Sequence, residues 1–172
     1  MAVSSRKSPG AAPAIREAND ADFSAIWPIF QTVVAHGDTY AYAPTTTLEE
    51  ARALWCGSAW RVFVAVSEGR VVGTYHLGAN QPGLGDHVAN AGFMVDPADR
   101  GRGIASAMCE HALATARASG FRAMQFNFVV STNAPALALW KRHGFQIVGR
   151  IPQAFRRAGG DPVDVFVMHR FL

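Results

Sequence analysis

The sequence predicts an α/β domain with a mixed, twisted sheet of about seven strands and helices on both of its faces. Three observations lead there. The apolar residues switch between the two-residue period of strands and the helical period in the order strand, two helices, three strands, helix, strand, helix, two strands, an order that calls for a mixed sheet. A glycine-rich turn, Arg100-Gly-Arg-Gly103, joins a strand directly to a helix. The 172 residues are 49% apolar, enough for one core without disulfide or metal staples.

The elements follow in order. Residues 1–12 are polar and small and read as a flexible tail, leaving 13–172 as a single domain. Ala14 to Ala18 reads as a short strand, and Asn19 or Asp20 caps a helix from about Ala21 to Ala35. His36 to Thr46 mixes turn residues with two tyrosines and reads as a loop, closed by the capping box Thr47-Leu-Glu-Glu50 that opens a helix to about Cys56. Arg61 to Ser67 and Arg70 to Gly78 are β-rich and separated by Glu68-Gly69, an antiparallel hairpin. After a glycine-rich loop, His87 to Val95 is a strand ended by Asp96-Pro97. Gly103 to Ser119 is a helix whose face of Ala105, Met108, Cys109, Ala112 and Ala116 is small enough to lie close on a sheet. Ala123 to Val130 is a strand, Ala134 to Arg142 a helix behind the cap Asn133, and Phe145 to Ile151 and Val163 to Phe171 are the last strands.

Composition narrows the function classes. Charged residues make up 17% of the chain and the net charge of +3 is spread without a Lys/Arg run, which argues against nucleic-acid binding. No stretch reaches the roughly 18 apolar residues of a membrane span, and Met1 to Ala12 lacks a signal-peptide core. Cys56 and Cys109 are the only cysteines and stand in no ligand spacing, so a disulfide framework and a cysteine zinc site are not expected and a reducing cytoplasm suits the chain.

The chemistry is concentrated in Val95-Asp-Pro-Ala-Asp-Arg-Gly-Arg-Gly-Ile-Ala105. Gly101 and Gly103 permit backbone conformations that aim several N–H groups inward, and the helix start adds unpaired donors and a partial positive charge. Arg100 and Arg102 add full charges at the rim. A dinucleotide turn would come early and be answered by an acid about 20 residues on, where Phe121, Arg122 and Ala123 stand. A P-loop would need Gly-Lys-Ser/Thr. What remains is a cradle for the pyrophosphate of another cofactor.

Arg100-Gly-Arg-Gly-Ile-Ala105, with the strand before it and the later strand, Asn133, helix and Gly144-Phe145, resembles the GNAT superfamily of N-acetyltransferases, whose motif is Arg/Gln-x-x-Gly-x-Gly/Ala at a helix start. The resemblance runs from Ala14 to the end. It implies a mostly antiparallel sheet with a splayed central strand pair and acetyl-CoA as co-substrate. Met94 and Val95 would offer backbone bonds to the pantetheine, while Arg100, Gly101, Arg102, Gly103, Ile104, Ala105 and Ser106 would hold the pyrophosphate. The gap between the two central strands would admit the thioester, with Asn133 beyond it and Trp140 as a candidate wall of the cofactor site. Within the superfamily, Phe126-Asn-Phe-Val-Val-Ser-Thr-Asn133 followed by Leu139-Trp140 resembles the acetyltransferases of proline analogues such as azetidine-2-carboxylate, with phosphinothricin acetyltransferases also near. The asparagines of that pattern map onto Asn90, Asn127 and Asn133 as acceptor-binding residues, the last two also catalytic.

Read from the residues alone, alternation puts Asn90 on a face with Val88 and Met94, and Asn127 with Gln125 and Val129. Such amides are either tied to neighbouring backbone or await a ligand, and Asn133 is either an N-cap or a site residue. Relatives that use a tyrosine as acid have it where Trp140 stands, and the indole is either a pantetheine wall or core. No Glu lies on the strand from His87 to Val95, leaving His76 and His87 as weak candidate bases and direct attack by a neutral amine as the simplest route. His36 to Tyr42 and Ala154 to Asp164, with Arg156 and Arg157, are candidate acceptor rims or plain loops. The acceptor is expected to be a small amino-acid-like amine, with a proline analogue as one candidate; a phosphinothricin-like amino acid, a polyamine or a protein N-terminus as acceptor, or a non-catalytic CoA-binding sensor module, are the other readings. Strand Val163 to Phe171 is apolar enough to extend a sheet or to meet a partner in a homodimer.

Overall fold

The computed structural model describes residues 12–172, so the tail expected over residues 1–12 lies outside the described residues but for Ala12. One sheet holds seven strands in the spatial order β1 (Ala14–Glu17), β2 (Arg61–Ser67), β3 (Arg70–Ala79), β4 (Val88–Val95), β5 (Ala123–Val130), β7 (Pro162–Phe171) and β6 (Gln146–Arg156). All neighbours are antiparallel except β4 and β5, so the sheet is mixed and mostly antiparallel, as expected. Helices α1 (Phe23–Ala35) and α2 (Leu48–Cys56) bury Phe30, Val34 and Trp55 in a cluster with Val64 and Met94. Helices α3 (Ile104–Ala118) and α4 (Ala134–Arg142) share a second cluster with Tyr75, Ala91 and Met168.

Local chemistry sets the element ends. Asn19 accepts from Ala21 N–H at 3.0 Å and Asp22 accepts from Asn19 N–H at 2.8 Å, but the first turn is a tight one over Asp20–Asp22 and the α-helix proper begins at Phe23. The Thr47–Glu50 box forms, with Thr47 N–H donating to the Glu50 carboxylate at 2.8 Å. Glu68 and Gly69 both take positive φ, 52° and 75°, the two-residue turn that matches the twist of a hairpin. On α3, Met108, Cys109, Ala112 and Ala116 are fully buried, which is what a small-residue face permits.

Two strand expectations change. β6 continues past Ile151 to Arg156, because register shifts between Ile147 and Gly149 and between Ile151 and Phe155 carry the strand around Pro152. Val163 to Phe171 offers no edge for sheet extension, since β7 is paired by β5 on one side and β6 on the other. The free edge on that side is β6, which exposes Ile147, Val148 and Ile151.

Candidate active site

Strands β4 and β5 pair only at their starts, Val88 with Ala123 and Ala89 with Met124. Beyond those residues they part, and a cleft of about 390 Å³ runs through the gap. It is lined on one sheet face by the Thr39–Tyr42 loop, Trp60, His76 and Asn90, and on the other by Phe126, Ala136 and Trp140. The bond from Asn80 N–H to Val88 C=O and that from Asp96 N–H to Val72 C=O fix which main-chain groups of β4 face β3. By that alternation Phe93 and Val95 turn their amides and carbonyls to the gap. Met94 turns its own to β3, with its carbonyl 3.1 Å from where a Cβ on Gly73 would sit.

The glycine turn stands at the end of β4. Gly101 and Gly103 both hold φ near 77°, which only glycine adopts without strain. The first bond into α3 is from Ala107 N–H to Gly103 C=O, so the amides ahead of it, through Ile104, Ala105 and Ser106, are left for a ligand or water. Arg100 is exposed and lines the cleft. Arg102 is not a free rim charge. Its guanidinium bonds Asp99 at 2.5 Å, as does that of Arg70, which also reaches Asp96 at 2.9 Å. Asp99 is 3% exposed, and Arg70 first, then Arg102, hold its carboxyl below the usual range against the opposing effect of burial. This buried carboxylate ties the turn to β3. Asp99→Asn is expected to destabilise the protein by about 2 kcal/mol, discounted for the partly exposed arginines, and to raise the acetyl-CoA dissociation constant several-fold. Thermal unfolding and calorimetry would read both; an unchanged melting temperature would show that the anchor contributes nothing.

The predicted asparagines all line the cleft, in different circumstances. Asn127 donates to Asn80 Oδ1 at 2.6 Å and accepts from Gln125 at 2.9 Å. A bulge in β5 between Phe126 and Val129 interrupts the alternation there: Val129 packs in the same cluster as Phe126, and so does not share a face with Asn127. Asn133 caps α4, accepting from Ala136 N–H at 3.2 Å. Asn90 sits half-buried in the wall with no side-chain hydrogen bond among the described residues. Trp140 is both wall and core: it lines the cleft and packs 4.8 Å from Phe126 and 5.1 Å from Phe93. Ser106 turns its hydroxyl to His143 Nε2, 2.8 Å away.

Other candidates separate. His87 is exposed and outside the cleft lining. Of the late segment Ala154 to Asp164, Ala154 to Arg156 end β6, Pro162 begins β7, and neither Arg156 nor Arg157 lines the cleft; Ala158 N–H bonds Gly37 C=O instead. The Thr39–Tyr42 loop does line it. Tyr40 Oη donates to Phe93 C=O at 2.8 Å and accepts from Phe93 N–H at 2.9 Å, occupying main-chain groups that face the gap. His76 lies between Trp55 and Trp60, each ring centroid 4.2 Å away, and burial pushes its pKa down to about 4. Sequence reading missed the Tyr40 bond and the Trp–His–Trp stack, which join residues far apart in the chain. Asp99, three residues before Arg102, was the one feature with a local signal.

The sequence profile of the Acetyltransferase (GNAT) family matches residues 17–145. A GCN5-related N-acetyltransferase from Kribbella flavida is 46% identical and superposes with a TM-score of 0.88, over 94% of this chain and 98% of that one. The structure of yncA from Salmonella typhimurium, described with its cofactor acetyl-CoA, is 25% identical with a TM-score of 0.80, over 94% of this chain and 95% of that one. The L-amino acid N-acetyltransferase AaaT of Escherichia coli is 32% identical over 62% of this chain and 65% of that enzyme. The chain spans about half, 47%, of another curated relative. Among the described residues no helix is long and apolar enough to cross a membrane.

Proposed function

Because the chain belongs to the GNAT acetyltransferase family, we propose that it transfers the acetyl group of acetyl-CoA to the amine of a small α-amino acid, of which proline analogues are one class, in the cytoplasm. The observation that carries this reading is the gap between β4 and β5, which starts beside Asn90 just past the last paired residues, is lined by Asn127, and runs to the glycine turn after β4. In this reading the amides from Gly101 to Ser106, with Arg100, hold the pyrophosphate, and the main chain of Val95 meets the pantetheine, with Met94 beside it and Trp140 as its wall. The neutral amine attacks the thioester carbon, the C–S bond breaks, CoA leaves as thiolate, and the new ammonium loses its proton to water. A thiol with a pKa near the cysteine value of about 8.5 leaves without an acid, so Trp140 in place of a tyrosine is tolerable.

The acceptor end supports an amino acid over a polyamine. Among the described residues Arg100 is the one acidic or basic side chain other than His76 in the cleft lining, and none of them sets a carboxylate there to meet a polycation. Asparagine amides suit a zwitterion, because each offers both donor and acceptor. A second subunit, if one joins, would meet the β6 edge, and light scattering on the purified chain decides that.

The test follows release of free CoA thiol with azetidine-2-carboxylate, proline, phosphinothricin, methionine sulfone and spermidine. Turnover of the amino acids but not spermidine is expected; turnover of spermidine alone overturns the acceptor class. Asn133→Asp keeps an oxygen for the cap yet removes the amide donor, and Asn127→Ala removes the whole group. Each is expected to lower kcat about 10- to 100-fold while acetyl-CoA affinity changes less than twofold. Wild-type turnover in both variants would remove the asparagines from the site.

A further inference from the structure

Strand register sets His76 of β3 directly opposite Gly92 of β4, on the sheet face shared with the Thr39–Tyr42 loop. The imidazole is fixed in three ways. Trp55 and Trp60 clamp its two faces at interplanar angles of 24° and 11°. Its Nδ1 lies 3.3 Å from Trp55 C=O, and a carbonyl only accepts, so the ring proton sits on Nδ1 and Nε2 is left with its lone pair. Among the described residues Nε2 has no partner, and it projects over Gly92 toward the cleft.

Gly92 makes room for this arrangement. A Cβ there would lie 2.6 Å from His76 Nε2 and 3.3 Å from Tyr40 Oη, so the two polar atoms converge over one point of the β4 backbone. That point borders Phe93, whose amide and carbonyl face the gap. A second polar group of the cleft lining is also unsatisfied: among the described residues Thr39 Oγ1 is buried without a hydrogen-bond partner. A buried hydroxyl left open beside a cleft that a second unpartnered acceptor, His76 Nε2, also lines is unusual in a folded protein unless a ligand supplies the missing partner.

We propose that His76 Nε2, with Thr39 Oγ1 elsewhere in the same cleft lining, binds the N–H of the acceptor amine above Gly92, orienting its nitrogen for attack across the gap. The proposal rests on the acetyl-transfer reading above and adds the contact that selects an amine. His76 holds the amine by a hydrogen bond and takes no proton; the proton lost after C–N bond formation goes to water. Clamped by two indoles and locked in one tautomer, the imidazole presents a fixed acceptor, which an N–H of a primary or secondary amine satisfies while the nitrogen lone pair stays free for attack, and which an analogue without the amino group leaves open.

His76→Phe retains the aromatic stack without the lone pair, His76→Gln restores an acceptor, and Gly92→Ala pushes a methyl against Nε2. With an acceptor that turns over, His76→Phe and Gly92→Ala are expected to raise its KM about 10-fold or more while the KM for acetyl-CoA stays within twofold, and His76→Gln is expected to recover part of the loss. An unchanged acceptor KM in His76→Phe would overturn the proposal. A separate measurement needs no turnover: the full-length chain saturated with CoA, carrying 15N-histidine, is titrated with the same five amines. A shift of the His76 Nε2 resonance with at least one amine, absent with the analogue that lacks the amino group, is expected; no shift with any amine overturns the proposal. Lack of turnover alongside such a shift would count against the transfer reading and leave the binding site standing.

Discussion

Trp55→Ala is expected to lower the free energy of unfolding by about 4 kcal/mol, the range in which a fully buried tryptophan truncated in a packed core falls. Trp55 is 0% exposed and packs between Phe30, Tyr40 and His76, at ring distances of 6.1, 5.9 and 4.2 Å. Its indole N–H also donates to Thr74 Oγ1 at 3.1 Å, and that hydroxyl in turn donates to Phe63 C=O at 2.9 Å. Because Thr74 keeps its own acceptor after truncation, the lost packing outweighs the lost hydrogen bond. For a domain of this size the melting temperature should fall by roughly 8–16 °C. Urea unfolding of the wild type, Trp55→Phe and Trp55→Ala checks it, with the Phe variant expected to lose about half as much. A loss below 1 kcal/mol in Trp55→Ala would mean that the Thr39–Tyr42 loop and α2 close over the space, and that the stack is not what holds His76.

That dependence on distant partners separates what was legible in the sequence from what was not. The hairpin at Glu68-Gly69, the Thr47–Glu50 box and the small face of α3 are written in neighbouring residues, where backbone geometry and periodicity act locally. The glycine turn was legible for the same reason: two residues forced into the left-handed region, set between a strand and a helix, leave few structural outcomes. The ends of β6 were not, because Pro152 normally ends a strand and only the pairing with β7, through two bulges, carries it onward. Asn127 shows the same limit within one strand. Alternation is a local rule, and the bulge that turns Asn127 toward Asn80 arises from the register of β5 against β7, forty residues later.

The acceptor end of the cleft was the least legible part. Trp55, His76 and Gly92 lie on three elements, Trp60 lies in the turn before β2, and the four carry no spacing that marks them as a group. The sandwich appears only once β3 and β4 are in register and α2 has packed across them. Tyr40 is a loop residue whose hydroxyl ends on the Phe93 main chain, 53 positions away. Its phenol is held protonated by burial, so in that place it serves as a neutral hydrogen-bonding group and not as an acid that ionises.

Burial of His76 as a neutral ring carries a second large expectation, which concerns acid stability. Its folded pKa, about 4, lies below the unfolded value of 6.5. Above pH 6.5 both states hold the neutral ring and its contribution is complete. As the pH falls from 6.5 toward 4, the unfolded chain binds a proton that the folded one refuses, so stability drops by up to about 1.4 kcal/mol per pH unit and by about 3 kcal/mol over the window. His111, also lowered by burial, adds to the loss in the same direction. The carboxylates tied to arginine, Asp22 and Asp99, are lowered in the fold and withdraw their contributions only at still lower pH, which keeps the two effects apart. Urea midpoints measured from pH 7 to pH 4 should therefore decline steeply in the wild type and more shallowly in His76→Phe. Parallel declines in the two proteins would mean that His76 is protonated in the fold, and with its lone pair occupied it would no longer be an acceptor for the substrate amine.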